Sequence, residues 1–237
     1  METYSGLWYS GLLLQCIYGC YSSLFSPTAV PLNMVLKSEA AVKASVRQVL
    51  NLYKAGKYLE ARTMSRRLPG KASEKCVKKM PTKVKKVYLK KVKSMQKTWT
   101  GVNKPYMWNY YLTDVNKDRT AELLIQYGSC EADMRILVYT YKMGRAVKVG
   151  TVRESHVTVY AYPKANGFIV RSTHMGVESI RLVTMKKSKI RTKRIGLRQI
   201  PAEEFDKYQY MDLPYELEGH VHYTSSYKPY FDYKEFK

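Results

Sequence analysis

"MRILVYTYKMGRAVKVGTV", residues 134–152, is the stretch on which the fold turns. It consists of two short runs dense in Val, Ile, Tyr and Thr, separated by "YKMGRA". Residues of that kind favour the half-buried, pleated surface of a strand, and a glycine-containing break between two such runs predicts a turn. An antiparallel hairpin is the expected result.

The same grammar extends in both directions. "YMWNYYLT" (106–113) and "TAELLIQYG" (120–128) precede it, while "SHVTVYAY" (155–162), "GFIVRST" (167–173) and "ESIRLVTM" (178–185) follow. Asn166-Gly167, inside "YPKANGF", is a strong hairpin signal, because both residues tolerate the left-handed backbone of a tight turn. No regular helical crossover separates these runs. Residues 104–200 are therefore expected to form an antiparallel sandwich or partly open barrel rather than an α/β fold.

Upstream, the period becomes helical. Ser38 can cap a helix in which Val42, Val46, Val49, Leu50 and Tyr53 share one face, with Gly56 ending it. "KYLEARTMSRRL" places Leu59, Thr63 and either Arg66 or Arg67 near one line before Pro69-Gly70. Then comes "KKMPTKVKKVYLKKVKSMQK", residues 78–97: a helix starting at Pro81 or Thr82 would gather Val84, Val87, Tyr88, Val92 and Met95 into an apolar stripe, with lysines around the rest. The chain is thus expected to be α+β, with a helical region leading into an antiparallel β domain.

Charge divides the chain further. Among 237 residues there are 41 Lys and Arg against 19 Asp and Glu, a net +22. Residues 1–36 form a neutral, apolar head; 37–103 are a basic helical region with 19 basic and 3 acidic residues; 104–200, the β domain, hold 18 and 7; and 201–237 are an acidic, Tyr-rich tail with 8 acidic and 4 basic. So large a positive charge concentrates polyanions around a protein.

Two basic patches are candidates for phosphate contact. The first is Lys78, Lys79, Lys83, Lys85, Lys86, Lys90 and Lys91. Lysine is a flexible point charge suited to backbone phosphates at variable register, whereas base edges are read by planar donors, so sequence-tolerant binding is expected. The second follows the last apolar run, where Arg191, Lys193, Arg194 and Arg198 belong to a segment, 181–198, without an acidic residue. "KKSKIRTKR" within it reads as a phosphate-binding loop or nuclear-import element, or as a solvated strand and turn. Tyr139, Tyr141, Tyr160 and Tyr162 alternate with core-like residues and could share a face for base stacking.

The head raises a second possibility. Leu7, Trp8, Leu12, Leu13, Leu14, Cys16, Ile17 and Cys20 could contact a membrane, with the lysine arm against anionic headgroups. Packing within a protein core is the competing reading, and the acidic Glu2 argues against a secretory leader. Four cysteines without C-x-x-C spacing suggest reduced thiols and an intracellular, cytoplasmic or nuclear, protein.

Catalytic and metal signatures do not emerge. "GHVHY" (219–223) has two histidines but no accompanying ligand pattern, the glycines look like turn residues, and Glu122, Glu131, Asp133 and Glu154 are scattered through a basic body. No metal or cofactor is expected. The composition suggests a nonenzymatic RNA- or DNA-binding protein that assembles as a homo-oligomer or with an acidic partner, and a peripheral scaffold on anionic membrane is the alternative. In general character such a chain resembles viral matrix, movement or coat proteins, with no motif on which to carry functional residues across.

Overall fold

The computed structural model describes residues 46–68, 75–96, 106–163, 165–204, 210–211, 213, 215–223 and 229–237. The head, with all eight expected membrane-contact residues from Leu7 to Cys20, lies outside the described residues, as do Ser38 and Val42. Among the described residues, no helix is long and apolar enough to cross a membrane.

The opening stretch is a hairpin: β3 (Arg135–Lys142) and β4 (Arg145–Arg153) are joined by Met143 and Gly144 at φ 49° and 76°. Two successive left-handed residues match the right-handed twist of the flanking strands. With β1 (Tyr106–Thr113) and β2 (Glu122–Gly128) they form one antiparallel sheet in the order β1-β2-β3-β4. A second sheet has the order β5-β6-β7-β8: β5 (Val157–Ala161), β6 (Phe168–His174), β7 (Val177–Lys186) and β8 (Lys189–Gln199). Neither closes into a barrel, so the α+β expectation holds in its open, two-sheet form.

Alternation along the strands gives each sheet two buried faces. Tyr111, Leu124 and Val138 of the first sheet join Val159, Phe168, Val170 and Val183 of the second in one core. The sheets come closest where β4 meets β8. A Cβ on Gly150 would overlap the Ile190 side chain, so a larger residue there requires Ile190 to repack.

The outer face of the first sheet carries Tyr110, Leu112, Leu123, Ile125, Leu137 and Tyr139. It is covered by α3 (Lys75–Lys78) and α4 (Thr82–Gln96), which contribute Val77, Val84, Tyr88 and Val92. The expected stripe on α4 is real, and Tyr88 donates its hydroxyl to the Ala121 carbonyl at 3.0 Å. The end of the chain packs over the same cluster: β9 (Val221–Tyr223) pairs with β10 (Pro229–Phe231), and Val221 and Phe236 are buried there. Tyr233 donates to Gln96 Oε1 at 2.7 Å, and Lys85 Nζ to the Lys237 carbonyl at 3.0 Å. The described part of the acidic tail therefore docks on its own chain.

The second sheet is covered by the first two helices. In α1, described over 46–54, the expected Val46, Val49, Leu50 and Tyr53 are all buried. Tyr53 lies over Gly196, where a Cβ would overlap the ring, and its hydroxyl donates to the Glu178 carbonyl at 3.4 Å. Gly56 ends the hairpin arm at φ 76°. For α2 (Tyr58–Ser65) the expected face is the wrong one: Ala61 and Ser65 are buried, while Leu59 is 65% exposed. Small residues let α2 approach closely, and Tyr58, Met64 and Leu68 supply the apolar contact that a Leu59–Thr63 line cannot.

Candidate nucleic-acid interface

Because α4 turns Val84, Tyr88 and Val92 inward, its other side is committed to solvent. Lys83, Lys86 and Lys90 are exposed there, continuing Lys78 and Lys79 at the α3–α4 junction. Lys85 and Lys91 are half-buried; Lys85 holds the chain's end, and Lys91 lies over the Tyr139 ring at 4.9 Å. Five of the seven expected lysines thus face outward.

The second charge run takes its strand-and-turn form rather than a loop: from Arg181 it follows β7, turns after Lys186 and returns as β8, which among the described residues is an edge strand paired with β7. Arg191, Lys193 and Arg194 are exposed, but Arg198 is not: its side chain is 6% exposed and its Nε donates to Glu178 Oε2 at 2.8 Å. The guanidinium also sits over the rings of Tyr58 and Tyr53, at 4.8 and 5.9 Å. Arg198 is placed in the core and does not join the exposed patch. The four tyrosines expected on one face are also divided: Tyr139 and Tyr141 belong to the cluster under α4, Tyr160 and Tyr162 to the one between the sheets.

Between the two patches lies β4, which contacts both α4 and β8. Its Arg145, Lys148 and Arg153 are exposed. These residues were not singled out from the sequence, where they stand apart among apolar neighbours and make no charge run. Folding sets these cations on the strand that touches both α4 and β8.

The strand registers sharpen this picture. Four cross-strand pairs set like charges opposite each other: Lys142↔Arg145, Arg135↔Arg153, Lys186↔Lys189 and Arg181↔Arg194. Such pairs are destabilising in isolation. Arg181 is held by Glu154, and Arg135 stands 3.7 Å from Asp133. Lys142, Arg145, Lys186 and Lys189 have no ion pair among the described residues.

The carboxylates named as scattered are each occupied locally. Glu131 Oε2 lies 3.0 Å from His156 Nδ1, and Asp133 caps its turn through Ser129 and Cys130. Those amide bonds, led by Cys130, hold the Asp133 carboxyl below its usual range. Glu122 is fully buried, accepting from Val115 N at 2.8 Å and Thr140 Oγ1 at 3.1 Å. Burial pushes its pKa up to about 8. Asp114, Asn116, Asp118 and Glu122 alternate as oxygen ligands do in cation loops. Here, however, Asn116 and Asp118 bond each other and the loop amides, and Lys117 donates its ammonium to the Asp114 carbonyl. Among the described residues, no group of three or more His, Cys, Asp or Glu converges to hold a metal.

Compared with known proteins, the chain matches no family model, no curated protein and no solved structure.

Proposed function

We propose that this protein binds nucleic acid through the α4–β4–β8 flank, without strong sequence preference and without catalysing a reaction. The observation that carries the reading is the set of like-charge registers on the two edge strands, continuous with the outward lysines of α4. A polyanion laid along the flank neutralises the cross-strand repulsion, and a phosphate backbone supplies charge at a spacing that flexible Lys and Arg side chains can follow. Single edge charges also discourage sheet-to-sheet aggregation, but that role does not call for like charges facing each other across a ladder.

Membrane insertion through α4 is disfavoured, because its apolar stripe is already filled by the protein's own sheet. The proposed partner fits an intracellular location, cytoplasmic or nuclear.

The test is a filter or fluorescence titration of unrelated single- and double-stranded oligonucleotides over a range of salt. Similar affinities that fall steeply with salt are expected. Combined K83Q, K86Q and K90Q on α4 should weaken every sequence alike, and R145Q with K148Q should do the same. Affinity insensitive to both salt and these substitutions would overturn the reading.

A further inference from the structure

Where β4 ends, the turn around the short helix Glu131–Asp133 and the segment from Arg153 to Ser155 border, with Arg181, a solvent-open pocket of about 480 Å³. Its two walls are tied by backbone bonds, Glu154 N to the Met134 carbonyl at 3.4 Å and His156 N to the Glu131 carbonyl at 3.1 Å. The concavity is therefore built into the fold.

Three guanidiniums line it: Arg135, Arg153 and Arg181. Two carboxylates share the wall, and both are engaged. Glu154 binds Arg181. Asp133 accepts from Ser129 N at 2.7 Å, Cys130 N at 3.0 Å and Ser129 Oγ at 2.9 Å, which leaves Arg135 only a 3.7 Å approach. Glu131 turns away to His156. Arg153, directly opposite Arg135 in the β3–β4 ladder, has no ion pair among the described residues. Among the described residues Arg153 is thus left without an ion pair, and Arg135 beside it has only the longer approach of Asp133, on the wall of the same pocket.

We infer that this pocket binds a phosphoryl group between Arg135 and Arg153. Planar guanidiniums donate paired hydrogen bonds to phosphate oxygens, and a tetrahedral anion accepts from two of them at once. The pocket is open to solvent, so a phosphate can enter it with a sugar still attached. As a site for a strand's phosphate the inference rests on the nucleic-acid reading; as a phosphoryl site it does not, because free phosphate offers the same oxygens.

The full chain is titrated with inorganic phosphate against chloride of equal ionic strength, followed by calorimetry and by ³¹P NMR line width. Saturable binding is expected, weakened about tenfold or more in R135Q/R153Q, on the scale of losing a bidentate contact, and unchanged in K57Q on the far helix. Circular dichroism of R135Q/R153Q checks that the fold is retained. A phosphate response no larger than that of chloride, or one that survives R135Q/R153Q in a folded protein, overturns the inference. Oligonucleotides with and without a 5′-phosphate identify the source. Tighter binding of the phosphorylated strand, lost in R135Q/R153Q, assigns the site to strand ends, and equal binding with competition by phosphate assigns it to internal phosphates. Phosphate saturation without any oligonucleotide binding supports the pocket while refuting the nucleic-acid reading.

Discussion

Glu178 and Arg198 face each other across the β7–β8 ladder, and Arg198 Nε donates to Glu178 Oε2 at 2.8 Å in a site almost closed to water. The other carboxylate oxygen accepts the Met211 amide at 2.7 Å. The Glu178–Arg198 pair therefore links an edge strand, the tail and, through the Tyr53 and Tyr58 rings beside Arg198, the first two helices. Breaking a buried pair from one side leaves the remaining charge uncompensated. E178Q should cost about 3–5 kcal/mol, read by urea denaturation, whereas exposed K193Q should stay within about 0.5 kcal/mol. An E178Q protein as stable as the wild type would show that Arg198 is solvated and available to a ligand.

Glu122 gives a pH dependence of definite sign. Its pKa rises from the ordinary 4.5 to about 8, so between those values the folded state keeps a proton that the unfolded state has released. Its contribution to stability is thus full below about pH 4.5, falls as pH rises, and levels off above about pH 8. Urea midpoints measured at pH 5.5 and 8.5 should differ in that direction, and E122Q should flatten the difference. An equally steep fall in E122Q would assign it to other groups.

The like-charge registers predict opposite effects on stability and binding. Lys142 faces Arg145 beside the β3–β4 turn, so R145E should convert a repulsive pair into an attractive one. A gain of about 0.2–1 kcal/mol is expected, with weaker oligonucleotide binding and a log–log salt slope shallower by about 1–2. R145E that lowers stability would show that the pair is not under repulsive load.

Tyr88 reports how α4 is fixed. Y88F removes only the hydroxyl bond to Ala121 and should cost about 1 kcal/mol. Y88A empties a fully buried position and should cost about 3–5 kcal/mol, and it should also loosen the lysines that α4 presents. Liposome flotation of Y88A and wild type should be alike if the helix has no membrane role.

The hairpins, the α+β class, the inward face of α1 and the stripe on α4 were legible in the sequence, because each depends on local period: alternation for strands, three-to-four spacing for helices, left-handed residues for turns. So was the excess of positive charge and its concentration in α4. The face of α2 was not legible, since Ala61 and Ser65 are buried for their small size against a neighbour that the local sequence does not name. Strand β8 stood only as one of several readings for a related reason: as an edge strand it carries charge on both faces and shows no alternation. The roles of Arg198, Arg145 and Arg153 were settled only by tertiary structure. Whether a cation is buried beside Glu178, sits on the strand that touches both α4 and β8 or faces another arginine depends on strand register and sheet packing, which join residues far apart in the chain.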